Sequence, residues 1–187
     1  MVTTPSKPIT LEEFLALPET KPALEYVGGK IIQKPMPQGE HSTIQAELIM
    51  AINLALKPQK IARAFPELRC TFGGRSTVPN ITVFTWNRIP RQDNGRIANV
   101  FTIEPDWTIE ILSPNQTPTK VTRNMLHCLE HGTKLAWLID PQEQFVFVYF
   151  PKQQPAFFET ADAILPVPDF AKSFELTLGE LFGWLLE

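Results

Sequence analysis

The chain has 187 residues, 43% of them hydrophobic and 20% charged, with a formal charge of −3. This describes one globular domain with a sizeable core, not a disordered chain. The weak negative charge excludes indiscriminate coating of nucleic acid, and no uncharged apolar run approaches the roughly 18 residues of a membrane span.

At the N-terminus, MVTTPSKPIT lacks the apolar stretch of a signal peptide. Thr10 followed by Leu11-Glu12-Glu13-Phe14 reads as a short helix. Thr10 would be its N-cap and Glu13 would complete a capping box, with Pro18 as its limit. Glu25 to Lys34 predicts a hairpin, two short extended runs joined at Gly28-Gly29. His41 to Lys57 is the clearest helix, because Ile44, Leu48, Ile52 and Leu56 recur every four residues on one face.

Residues 60–72 and 78–85 predict strands, and 87–100 a polar loop turning at Asp93-Asn94-Gly95. Trp107 to Leu112 is the next strand, closed by Ser113-Pro114-Asn115. A helix follows from Thr119 to His131 and stops at Gly132. Leu135 to Ile139 and Phe145 to Phe150 are apolar strands joined at Asp140-Pro141. A last strand pair is expected at 156–159 and 164–167, then a C-terminal helix from Leu178 to Leu186. The expected architecture is a single α/β domain over 1–187, a mixed sheet with flanking helices.

The charge is unevenly spread. Residues 60–96 carry seven basic groups, six of them Arg, against two acidic ones, net +5, between acidic flanks. Arg is the better phosphate ligand because its planar fork donates two parallel hydrogen bonds. A solvated surface would have the same composition. Cys70 and Cys128 lie far apart and form no CxxC pair. That argues against a disulfide framework or a Cys-rich zinc site, and for a reducing, cytoplasmic setting.

Two segments could carry chemistry together: Val78-Pro79-Asn80 at the start of one strand and Glu110-Ile111-Leu112 inside another. Metal-assisted phosphodiester hydrolysis needs oxygen ligands converging from neighbouring strands and a cation near the phosphate. Glu110 stands among Ile109, Ile111 and Leu112. A carboxylate there is either a ligand, an expensive burial, or the solvent side of an edge strand.

Glu25 through His41, VPNITVF (78–84), PDWTIEILSP (105–114) and HGTKLAWLIDP (131–141) together resemble a large bacterial family. It comprises the restriction-endonuclease-like domains of the PD-(D/E)XK nuclease superfamily, and the resemblance covers roughly residues 8–150. It implies a restriction-endonuclease-like core. It also implies an endonuclease that hydrolyses DNA phosphodiesters with Mg²⁺ or Mn²⁺, and a homodimer that cuts both strands.

On this sequence the family's Pro-Asp falls on Pro79-Asn80, and its second metal carboxylate on Glu110. Glu25 sits where an acidic residue joins the metal cluster, and His41 at the family's helix-start His. The superfamily lysine position is Leu112, and the lysine found instead on the following helix falls on Asn124. Lys120, one turn earlier, is the substitute. The implied catalytic set is Glu110, Asn80 and Lys120, and the metal set Glu110, Asn80 and Glu25. Arg75, Arg88 and Arg91 would bind DNA phosphates.

Asn80 supplies a neutral oxygen where the family supplies a charge, which points to impaired activity. A second reading therefore keeps the fold without turnover, as a module binding DNA or a protein partner. A third, structural reading rests on the apolar FGWLL at 182–186, which could join two chains. Finally, His127 and His131 share one helix face, as zinc-protease histidines do. Cys128 stands where that pattern needs Glu, and His131 also suits a helix C-terminus as a cation.

Overall fold

The computed structural model describes residues 8–114 and 116–186. Asn115 of the Ser113-Pro114-Asn115 turn, and most of MVTTPSKPIT, lie outside the described residues. The first helix, α1 (Leu11–Leu15), carries the expected capping box: Thr10 Oγ1 accepts from the Glu13 amide, and the Glu13 carboxylate accepts from the Thr10 amide. The hairpin follows as β1 (Leu24–Val27) and β2 (Lys30–Gln33). Its turn residues Gly28 and Gly29 have φ of 58° and 78°, a backbone that glycine adopts without strain.

Helix α2 (Gly39–Leu56) buries Ile44, Leu48, Ile52 and Leu56, as their four-residue spacing requires. Next come β3 (Ala62–Pro66), β4 (Cys70–Phe72), β5 (Arg75–Thr77) and β6 (Ile81–Thr85). The single strand expected over 60–72 is thus two strands in different sheets. Pro66 ends β3, and Glu67 turns the chain at a φ of 40°.

The second half runs β7 (Trp107–Ile111), α3 (Pro118–Glu130), β8 (Leu135–Asp140), β9 (Phe145–Tyr149), β10 (Ala156–Phe158) and α4 (Leu178–Gly183). The strand expected at 164–167 is absent. Ile164 makes one isolated bridge to Thr177, and Pro166 and Pro168 have no amide to extend a ladder.

A six-stranded sheet has the order β10-β9-β8-β7-β6-β3, and a four-stranded one the order β2-β1-β5-β4. Within the large sheet only β7 and β8 run parallel, joined by the crossover helix α3. Alternation along β7 sends Trp107, Ile109 and Ile111 to one face, where α2 and α4 complete the main core. The other face, with Leu112, Ala136 and Leu138, is covered by Val121 and Met125 of α3.

Trp184 and Leu185 also pack on the main core, and Phe182 is buried within it. Most of the FGWLL segment therefore packs against this chain's own core, with Leu186 left exposed. No helix among the described residues is long and apolar enough to cross a membrane.

Candidate active site

Glu110 sits on β7, whose five residues are all buried between β6 and β8. The edge-strand alternative is thereby removed. Period-two alternation aims Glu110 away from Trp107, Ile109 and Ile111 and toward the α3 side of the sheet. There it borders a cavity of about 380 Å³ whose lining includes Glu25, Lys34, Lys120, Val121 and Asn124. β1, the end of β2, β7 and α3 thus deliver their polar side chains to one place.

Glu25 reaches the cavity from β1 and is buried. Its Oε1 accepts from the Val78 amide at 2.8 Å, and its Oε2 accepts from Asn124 Nδ2 at 3.0 Å. One carboxylate therefore ties the hairpin both to the VPN segment and to α3. Each oxygen keeps a lone pair for a further partner.

Glu110 is held more loosely. Its Oε2 lies 3.3 Å from the Asn80 amide and 3.9 Å from Lys34 Nζ. Among the described residues, Oε1 accepts no hydrogen bond. Burial pushes its carboxyl up to about 7, and the charges of Glu25 and Glu67 add to the rise. Lys34 and the Asn80 amide only partly offset this.

Asn80 is buried beside Glu110, but its side chain turns to the backbone. Its Oδ1 accepts from the Ile111 amide at 2.9 Å, bracing the start of β6 against β7. Its carbonyl accepts from Gln45 Nε2 and the Glu67 amide. His41 is buried at the start of α2, and burial and the Lys34 charge lower its pKa. It borders a neighbouring cavity of about 310 Å³ that shares Pro114 and Gln116 with the first.

Lys120 is exposed at the rim of the Glu110 cavity, whereas Lys34 lies inside with 9% of its side chain accessible. Lys34 Nζ donates to the Val78 carbonyl. The sequence reading, which sought the lysine on β7 or α3, missed it. The hairpin register holds the signal: Glu25 faces Ile32, and Lys34 follows Ile32 by two residues, so both share Glu25's face. Glu67, whose charge acts on Glu110 and His41, carried no comparable signal because it lies in the turn between sheets.

The three arginines line neither cavity. Arg88 is committed to Asp106 Oδ1 and Glu104 Oε1, each at 2.6 Å. Arg91 lies over the Trp86 ring and donates to the Gly95 carbonyl. Arg75 donates to the Arg123 carbonyl in the middle of α3.

The donor set suits a hard divalent cation. Two buried carboxylates line the cavity, one carboxylate oxygen is unclaimed, and Glu110 pays a burial cost that a cation would relieve.

Residues 11–179 match the family model Uma2, described as a putative restriction endonuclease. The chain is also similar to a solved crystal structure, described as a putative nuclease belonging to DUF820 from Anabaena variabilis ATCC 29413. The two are 65% identical over 95% of this chain and 99% of that one, with a TM-score of 0.94. No curated protein matches the chain.

Proposed function

The chain belongs to the Uma2 family, described as putative restriction endonucleases, and from that premise we propose that the Glu25–Glu110 cavity is a divalent-metal site hydrolysing DNA phosphodiesters. The observation that carries this reading is the convergence of two buried carboxylates and a shielded lysine on one cavity. A bound Mg²⁺ or Mn²⁺ would polarise the phosphate and lower the pKa of a coordinated water.

Glu110 and Glu25 are the charged ligands, with Asn80 setting the β6–β7 geometry that presents Glu110. Glu25 cannot swing, because Val78 and Asn124 hold both of its oxygens. Lys34 balances the paired carboxylates and holds its ammonium beside the ionised Glu110. Lys120, at the rim, meets the incoming phosphate. Arg75 extends the contact along the backbone, whereas Arg88 and Arg91 first serve their local partners. A homodimer would pair two such sites on opposite strands.

The test is cleavage of supercoiled plasmid with added Mg²⁺ or Mn²⁺. Wild type is expected to cut, and Glu110→Ala to lose at least ~100-fold, as removal of a charge-stabilising group does. Cleavage unchanged by Glu110→Ala overturns the assignment.

A second reading is favoured by one observation. Asn80 brings no charge, and its oxygen is already bonded to the Ile111 amide. A site so weakened would bind DNA or a protein partner without turnover. In that case wild type does not cut, DNA binding falls steeply with salt, and Asn80→Asp restores cleavage.

A further inference from the structure

A second cluster lies away from the cavity, at the C-terminal end of α3. His127, Glu130 and His131 each offer a ligand atom within 4.8 Å of the others. Residues at i, i+3 and i+4 share one helix face, so the grouping is built into the helix.

The two rings are fixed in a particular way. His127 Nε2 lies 3.1 Å from the Phe72 carbonyl, and His131 Nδ1 lies 2.8 Å from the His127 carbonyl. A carbonyl only accepts, so each of these nitrogens carries the proton. His127 Nδ1 and His131 Nε2 are therefore left with free lone pairs. A backbone carbonyl fixing one ring nitrogen so that the other can bind is how proteins orient metal-ligating histidines.

The surroundings hold the two rings in place, with the Arg75 charge also near His127. Phe72 stacks on His127 at 5.0 Å between ring centroids and holds its plane. Gly73 lets the β4–β5 turn approach both rings closely: a Cβ there would stand 2.2 Å from His131 Nε2 and 2.7 Å from His127 Cε1. The negative end of the α3 dipole lies at the same place.

We propose that His127, Glu130 and His131 form a zinc site with two imidazoles, one carboxylate and an open position for water. Tetrahedral zinc, with ligands at about 2.0–2.2 Å, needs its donors about 3.3 Å apart. Glu130 and His131 are exposed and would close that gap by small side-chain rotations that keep the His131 hydrogen bond, with buried His127 as the anchor. Imidazole donors select zinc over the hard cation suited to the carboxylate cavity. Bound zinc would clamp the end of α3 beside the β4–β5 turn, behind the helix that carries Lys120 and Asn124.

The test uses the full chain after chelator treatment, titrated with Zn²⁺ by calorimetry and with Co²⁺ by visible absorption. One equivalent is expected to bind, with the d–d bands of a four-coordinate Co²⁺ centre and a raised melting temperature. His131→Ala and Glu130→Ala are exposed substitutions that leave the fold intact, and each is expected to weaken binding at least ~10-fold. Glu110→Gln is expected to leave zinc binding unchanged, which separates this site from the cavity. No binding up to ~1 mM, a range of negligible affinity, overturns the proposal. So does zinc affinity that survives both His131→Ala and Glu130→Ala, or that is lost in Glu110→Gln.

Discussion

Glu110 makes stability depend on pH in an unusual direction for a carboxylate. It ionises near 4.5 in the unfolded chain and near 7 in the fold, so between those values the native state holds a proton that the unfolded state lacks. Stability in metal-free buffer is therefore expected to fall as pH rises from 4.5 to 7, by about 3 kcal/mol. Glu110→Gln removes that slope, so at pH 8 the variant should be more stable than wild type by a similar amount. Below pH 4.5 the difference should vanish, as urea unfolding at several pH values would show. A divalent cation should reverse the order, because only the ionised carboxylate binds it.

Lys34 is the other decisive residue. Lys34→Met keeps the stem and removes the charge that lowers the Glu110 pKa. The apparent pKa of Glu110 should rise above 7, and the metal-free Glu110-dependent stability loss, still beginning near pH 4.5, should extend to higher pH and grow. Plasmid cleavage at neutral pH should fall by at least ~10-fold, by analogy with loss of a positioned charge. Activity that is unaltered at every pH would remove Lys34 from the site.

Arg88 behaves as a structural group. It pairs with Glu104 and with Asp106, whose side chain is 4% exposed and also accepts from the Thr85 amide and hydroxyl. Arg88→Ala leaves a buried carboxylate unpaired and is expected to cost about 2 kcal/mol in thermal or urea unfolding. If stability is unchanged and only DNA affinity falls, the sequence-based assignment of Arg88 as a phosphate contact is the better one.

At the scale of elements, α3 and the β1–β2 hairpin are the parts that assemble the cavity. Asn124, where the sequence resemblance places a lysine, serves as a donor to Glu25. Its neutral amide makes Glu25 a fixed anchor, and the positive charge comes from Lys34 on the hairpin instead.

β3 shows how an exposed sheet edge is managed. Asn53 of α2 donates to the Ala64 carbonyl and accepts from the Ala64 amide, at 3.1 and 2.9 Å. These two bonds occupy backbone groups that would otherwise await another strand. Asn53→Ala is expected to cost about 1–3 kcal/mol in urea unfolding and to increase association at high concentration. An unchanged midpoint would show that water replaces the amide at no cost.

At the scale of the whole molecule, a helix layer of α2 and α4, a six-stranded sheet and α3 form three layers. The four-stranded sheet brings the hairpin to the α3 side of the cavity. The −3 chain with its +5 middle segment resolves the same way. Arg69 binds Glu19 across 50 positions, and Arg88 binds Glu104 and Asp106, so acidic flanks pair with two of that segment's seven basic groups.

Much was legible from residues alone because it depends on near neighbours. The capping box at Thr10 and Glu13, the Gly28-Gly29 turn, the α2 stripe and the apolar β7 and β8 are all local patterns. The order of the family-like motifs also made the restriction-endonuclease-like class readable, and the shared fold with the Anabaena protein bears it out. Tertiary structure alone decided which side Glu110 faces, that Asn80 spends its oxygen on Ile111, and that FGWLL packs largely on this chain's own core. It also decided that the cavity's shielded lysine comes from residue 34. Those outcomes depend on contacts between residues 30 to nearly 100 positions apart. Propensity and periodicity reach only a few residues along the chain, whereas a site is built by whichever distant backbone segments the packed layers bring together.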